Sequence, residues 1–205
     1  MALVLHDHPR SSNAQKVRFL LAELELPYER RDVPLGRTRP DWHVAVNPAG
    51  GIPALIDDGF ALAESHAILR YLATDDVYPA ERRARARIDW VLELIAGPLR
   101  EANHRVSGPA FGWRPREGIG AAPADPAALA EAVPQVGPLL APLEAVLGPE
   151  PWACGGRFSL ADCAAAPVLW RLRHAGALAG RIAVWADAVH ARPAWSGVGA
   201  EAGLS

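Results

Sequence analysis

The chain reads as an α/β domain of order β-α-β, a connecting segment, then β-β-α, followed by an all-helical domain. Three observations predict this. Over the first 75 residues, short strand-like runs trade places with segments of helical period. Between two of those runs stands Asp58-Gly59, a hairpin signal because Asp-Gly accepts positive φ at little cost. From Pro79 onward only helical periods recur. The boundary is expected near 75–82, with a first domain over 1–76 and a second over 82–205.

The elements follow in order. Ala2–His6 is a short apolar run suited to a strand. In Asn13–Glu25, Val17, Leu20, Leu21 and Leu24 share one helical stripe, and Pro27 ends it. Tyr28–Val33 reads as a second strand and Pro40–Val46 as a short helix. Ile52–Asp57 and Phe60–Leu62 form the hairpin arms. Glu64–Ala73 is a helix with Ile68, Tyr71 and Leu72 on one face. Beyond Pro79, Ile88, Val91, Leu92, Ile95, Leu99, Ala102 and Val106 recur at steps of three and four, the mark of one long amphipathic helix. Ser107–Pro151 holds nine Pro and six Gly in 45 residues, so irregular structure is expected around a single helix near Ala127–Leu147. Leu160–Leu172 and Ile182–Ala191 are two further helices.

Bulk properties narrow the function. Half the residues are hydrophobic, enough for a sizeable core, and 21 basic against 23 acidic residues leave no surplus to neutralise phosphates. Nucleic acid is therefore not an expected partner. Cys154 and Cys163 lie nine positions apart, which is neither a redox pair nor a zinc pattern. The N-terminus lacks a signal-peptide pattern, and no apolar run approaches the roughly 20 residues of a membrane span. A cytoplasmic protein without a membrane partner is the expectation.

One stretch carries a family likeness: Asn47-Pro-Ala-Gly-Gly-Ile-Pro-Ala-Leu-Ile-Asp-Asp-Gly-Phe-Ala-Leu-Ala-Glu-Ser-His-Ala-Ile-Leu-Arg-Tyr-Leu72. It resembles the glutathione-site segment of cytosolic glutathione transferases. Upstream, His8-Pro-Arg-Ser-Ser-Asn-Ala-Gln-Lys-Val-Arg18 resembles that family's catalytic loop and first helix. Downstream, Phe158-Ser-Leu-Ala-Asp162 and Ala191-Arg-Pro-Ala-Trp195 resemble two elements of its second domain. The resemblance implies a thioredoxin-like first domain with a mixed four-stranded sheet and an all-α second domain. It also implies a homodimer, glutathione as co-substrate, no metal, and a small hydrophobic electrophile as second substrate.

The same resemblance assigns roles. Ile52-Pro53 would be a cis X-Pro bond whose backbone pairs with the cysteinyl unit of glutathione by strand addition. Glu64 and Ser65 open a helix, where unpaired N–H groups and partial positive charge suit the γ-glutamyl carboxylate. Glu64 would help hold the α-amino group. Without the family, the same pair reads as a plain helix cap.

A sulfur donor is needed because a free thiol, with a pKa of about 8.5, is mostly protonated at neutral pH. Ser11 stands five positions before Lys16, the spacing of serine-type members. Ser12 and Asn13 are rivals. Asn13 stands three positions before Lys16, as in some bacterial relatives, and the whole Ser-Ser-Asn run also reads as a helix cap.

His43, four residues before Asn47, either contacts the glycine carboxylate of glutathione, as in plant-type relatives, or is a solvated helix histidine. Gly51 departs from the Lys or Gln of many relatives. Arg37 and Arg39 are substitutes for that side chain, or else solvated loop residues.

Other features read as structural. Ser159-Leu-Ala-Asp162 is a capping box and Cys163 a core thiol. His6-Asp7-His8 lacks a third metal ligand. Phe111 and Trp113 are candidates to line the electrophile site.

The implied reaction is attack of the glutathione thiolate on an electrophilic carbon. Two alternatives stand beside it. Arg10-Ser11-Ser12 resembles the loop of maleylacetoacetate isomerases, although Asn13 replaces their cysteine. A non-catalytic binding or regulatory relative is the other.

Overall fold

The computed structural model describes residues 2–201. Four strands form a mixed sheet in the order β2-β1-β3-β4: β1 (Leu3–Asp7), β2 (Glu29–Asp32), β3 (Ala54–Asp57) and β4 (Phe60–Ala63). β1 and β2 run parallel, with Leu5 opposite Arg30, as a β-α-β crossover requires. β3 returns antiparallel to β1, with Leu5 opposite Leu55, and β4 completes the hairpin, with Leu55 opposite Leu62. Asp58 and Gly59 both take positive φ in the turn.

The helices of this unit are α1 (Ser12–Glu23), α2 (Asp41–Val44) and α3 (Ser65–Leu72). All residues from Ala14 to Leu21 are buried in α1. A run that long has no solvent face, because α3 and helices of the second unit pack around α1. Two of its buried polar members reach back to the loop before the helix. Gln15 and Arg18 both donate to the Pro9 carbonyl, at 2.8 and 3.0 Å.

The second unit is helical: α4 (Arg82–Leu94), α5 (Arg100–Phe111), α6 (Pro126–Ala132), α7 (Val136–Glu144), α8 (Leu160–His174), α9 (Gly180–His190) and α10 (Pro193–Ala200). The single long helix expected over 88–106 is instead α4 and α5 joined by a π-helical turn, Ile95–Leu99. Pro98 lies in that turn. A proline cannot donate to the carbonyl four residues back and collides with it, and the wider π turn relieves both problems.

Helix also persists past Ser107, where irregular structure was expected. α5 ends only at Gly112, which is left-handed and lies where a Cβ would meet the Ala122 carbonyl oxygen at 1.6 Å. The single helix expected near 127–147 is divided into α6 and α7 by a 3-10 turn at Val133–Gln135, around Pro134. α10 was not anticipated. It starts on Pro193, a residue whose fixed φ suits a first helical position.

α8 is the axis of this unit, packed on α1, α4, α5 and α9. Its buried alanines, including Ala164, Ala165 and Ala166, let neighbouring backbones approach. The capping box is present: Asp162 Oδ2 accepts from the Ser159 N–H at 2.8 Å and from its hydroxyl at 3.0 Å. Asp162 Oδ1 also accepts from the Ala153 N–H at 2.9 Å and the Trp185 indole at 2.7 Å. Cys163 is fully buried, and burial raises the pKa of both cysteine thiols, Cys154 to about 12.

Candidate active site

The site is built where β1 ends and α1 begins. Ser11 is the N-cap of α1, and its hydroxyl oxygen accepts from the Ala14 N–H at 3.3 Å. The same hydroxyl donates to the Ile52 carbonyl at 3.4 Å. The Ile52–Pro53 peptide is cis and lies just before β3. Ser11, Ser12, Asn13 and Ile52 all line one cleft between the two units. Ser12 is the first residue of α1, and Asn13 is the most exposed of the three.

Glu64 and Ser65 stand at the start of α3. Glu64 takes φ 68°, a conformation that a non-glycine side chain adopts only under constraint. The first intrahelical bond runs from the Ile68 N–H to the Glu64 carbonyl at 2.9 Å, so the N–H groups of residues 65–67 point out of the helix start. Lys16 Nζ, in the cleft wall, lies 3.2 Å from His66 Nε2 and sets this helix start beside the cleft. Burial, with Arg100 and Arg171 nearby, lowers the Lys16 pKa to about 7. Burial beside Lys16 lowers that of His66 to about 3.

His43 differs from both sequence-based expectations. It is fully buried, with Nε2 2.9 Å from the Gly51 carbonyl and Nδ1 3.0 Å from His6 Nδ1. A carbonyl can only accept, so Nε2 carries the proton, and neutral His43 must accept at Nδ1 from His6. Burial lowers the pKa of both rings, that of His6 to about 4, which favours these neutral forms. Asn47 Nδ2 donates to the same Gly51 carbonyl at 2.8 Å. His43 is thus a brace behind the loop carrying Ile52, with no ring nitrogen left for a ligand.

Arg39 is not solvated either. It donates to the carbonyls of Gly50 at 3.1 Å and Gly36 at 2.6 Å, and it lines the cleft. Arg37 pairs with Glu117 at 3.0 Å on the surface.

The second unit supplies the far wall. Trp113 lines it as expected, stacked on His104 with ring centroids 5.0 Å apart, whereas Phe111 packs against the core instead. The apolar wall expected for a hydrophobic electrophile is limited to Leu35, Ile52, Trp113 and Val168. Arg10, Arg100, Arg116 and Arg171 stand among them.

Sequence reasoning missed this basic wall. Periodicity places Arg100 on a helix without saying what it faces. Arg171 did leave a signal, as a charged residue inside the apolar face of α8, where it is buried. Among the described residues, no group of three or more His, Cys, Asp or Glu side chains is placed to hold a metal ion.

Known proteins share this architecture. The glutathione S-transferase N-terminal domain family matches residues 10–75, and the C-terminal domain family of the same name matches residues 126–198. Glutathione S-transferase 3 of Zea mays is 34% identical over 211 residues, covering 94% of this chain and 91% of that protein. A probable maleylacetoacetate isomerase of Vibrio cholerae is 43% identical over 86 residues, only 40% of this chain and 39% of that protein. A solved structure of glutathione S-transferase III in apo form superposes with a TM-score of 0.78 at 30% identity, covering 100% of this chain and 99% of that one. With its two halves matched in order and its full length aligned, the chain belongs to the glutathione S-transferase family.

Proposed function

We propose that this protein is a glutathione transferase, with Ser11 as the donor to the glutathione sulfur. The carrying observation is the Ser11 hydroxyl at the N-terminus of α1, 3.4 Å from the Ile52 carbonyl and open to the cleft. A hydroxyl hydrogen bond and a helix N-terminus both favour a thiolate over a thiol. The backbone at Ile52 and Pro53 takes the peptide by strand addition. Ser65, at the start of α3, takes the γ-glutamyl carboxylate, Glu64 the α-amino group, and Arg39 the glycine carboxylate. In this reading, residues 1–76 bind glutathione and 82–205 hold the electrophile. The thiolate attacks an electrophilic carbon, the C–S bond forms, the leaving group departs with its electron pair, and the thiol proton passes to solvent.

The protein acts as a homodimer in the cytoplasm. Exposed Phe60, Tyr71 and Trp90 support a partner surface, and no helix among the described residues is long and apolar enough to cross a membrane. Sedimentation of the wild type against Phe60→Asp tests the dimer.

The reading is tested by retention on immobilised glutathione, then by glutathione-dependent release of chloride from 1-chloro-2,4-dinitrobenzene. Retention with turnover supports it, and flow-through without turnover favours a non-catalytic relative. The partial similarity to a probable isomerase supports a second reading, glutathione-dependent isomerisation. Isomerisation returns glutathione unchanged, whereas transfer consumes one molecule per turnover.

A further inference from the structure

Six cationic side chains line the cleft beside Ser11: Arg10, Lys16, Arg39, Arg100, Arg116 and Arg171. No Asp or Glu shares its wall. The whole chain carries a net charge of −2, so this accumulation is local. Among the described residues, none of the six forms an ion pair. Glu117 is paired with Arg37 and Glu101 with Arg105, each at 3.0 Å, and Glu64, at the start of α3, acts on Lys16 but not on Arg171.

Arg171 is the most informative of the six. It is 3% exposed, its Nη2 donates to the Arg10 carbonyl at 2.7 Å, and its Nε has no partner. A buried guanidinium without a counter-charge is unfavourable unless an anion arrives to pair with it. Consistently, burial lowers the Arg171 pKa to about 10. Arg100, the first residue of α5, is exposed in the same wall. Both arginines act electrostatically on Lys16 and on His104, so they serve one region of the cleft.

Glutathione, placed as above, occupies Ser11, Ile52 and the start of α3, all in the first unit. Arg100 and Arg171 come from α5 and α8 in the second. We propose that the second substrate is an electrophile bearing a carboxylate, which Arg171 and Arg100 hold while its reactive carbon faces Ser11. This rests on the transferase reading. Guanidinium groups suit the planar, two-oxygen geometry of a carboxylate. Trp113, Leu35 and Val168 provide apolar surface for the carbon skeleton. The carboxylate is unchanged by the reaction, in which the C–S bond forms and the leaving group departs with its electron pair.

The test uses 4-chloro-3-nitrobenzoate and its methyl ester, which differ in one charge, with glutathione and the full chain. The ester activates the ring more strongly, so each rate is divided by its uncatalysed rate. Loss of one charge-assisted contact corresponds to about tenfold or more. The normalised kcat/KM is therefore expected to favour the acid by about tenfold or more. Arg100→Gln and Arg171→Met should each reduce that preference, whereas Arg105→Gln, on the same helix but outside the cleft wall, should not.

Tryptophan fluorescence titration with each compound, with and without glutathione, measures binding independently of turnover. Acid bound no tighter than ester by the wild type overturns the proposal. So does an acid preference that survives both Arg100→Gln and Arg171→Met. If glutathione itself does not bind but the acid still binds tighter than the ester, the transferase reading fails and the anion site stands.

Discussion

The Ser11 hydroxyl lies 3.4 Å from the carbonyl oxygen of Ile52, 41 positions along the chain. One hydroxyl thereby caps α1, touches the residue before the cis proline and faces the cleft. Replacing Ser11 with Ala should raise the pKa of bound glutathione by about one unit or more, a loss of about 1.4 kcal/mol per unit. Ser12→Ala and Asn13→Ala should leave it in place. Ultraviolet absorbance of the bound thiolate against pH reads this directly. A shift that survives Ser11→Ala moves the donor role to Ser12, Asn13 or the backbone. The lost cap should also cost about 1 kcal/mol of stability.

His43 supports the loop from behind. His43→Leu leaves the Gly51 carbonyl with Asn47 alone and strands the His6 Nδ1–H. Each stranded buried group costs about 1–3 kcal/mol. The expected signature is a higher KM for glutathione with a much smaller change in kcat, because the loop moves while Ser11 remains. Initial rates over a glutathione series measure the split, and an unchanged KM would remove the bracing role.

Asp162 accepts four hydrogen bonds. Asp162→Ala orphans the Ala153 and Ser159 N–H groups and the Trp185 indole at once. The expected loss is about 3–5 kcal/mol, read as a fall of roughly 10 °C in melting temperature. Asp162→Asn, which keeps one acceptor oxygen, should fall between. A melt within two degrees of wild type, on the order of the smallest resolvable change, would contradict the hub.

Acid should unfold the protein through its buried histidines. Burial lowers His6 and His190 to about 4 and His66 to about 3 from an ordinary 6.5. The folded state holds these rings neutral, so their contribution is complete above pH 6.5. It is lost as pH falls toward 4, because the unfolded chain binds protons first. His190 Nε2 donates to the Ala166 carbonyl at 2.9 Å, which Gln can imitate. Denaturant titrations between pH 5 and 6.5 should show His190→Gln with a slope smaller by up to one proton, about 1.4 kcal/mol per pH unit. Parallel wild-type and variant slopes would place the acid sensitivity elsewhere.

Periodicity and turn chemistry were sufficient for the order of the elements through α3, because they act over a few residues. The Asp58-Gly59 hairpin and the capping box at Ser159 and Asp162 were legible for the same reason. The proline-rich span was less legible. Pro98 and Pro134 do not simply end a helix. The chain passes them in π and 3-10 turns that neighbouring packing holds in place.

By itself, the sequence determined the two-part fold, the family likeness and the candidates at Ser11, Ile52, Glu64 and Ser65, since each is written in a contiguous motif. Only the tertiary structure decided what those residues meet. It turned His43 inward onto His6 and Gly51, and it gathered basic residues separated by up to 161 positions, Arg10 to Arg171, into one wall. The physical reason is that charge and hydrogen bonding act through space. A composition close to neutral can still hold a strongly basic cleft once the chain has folded.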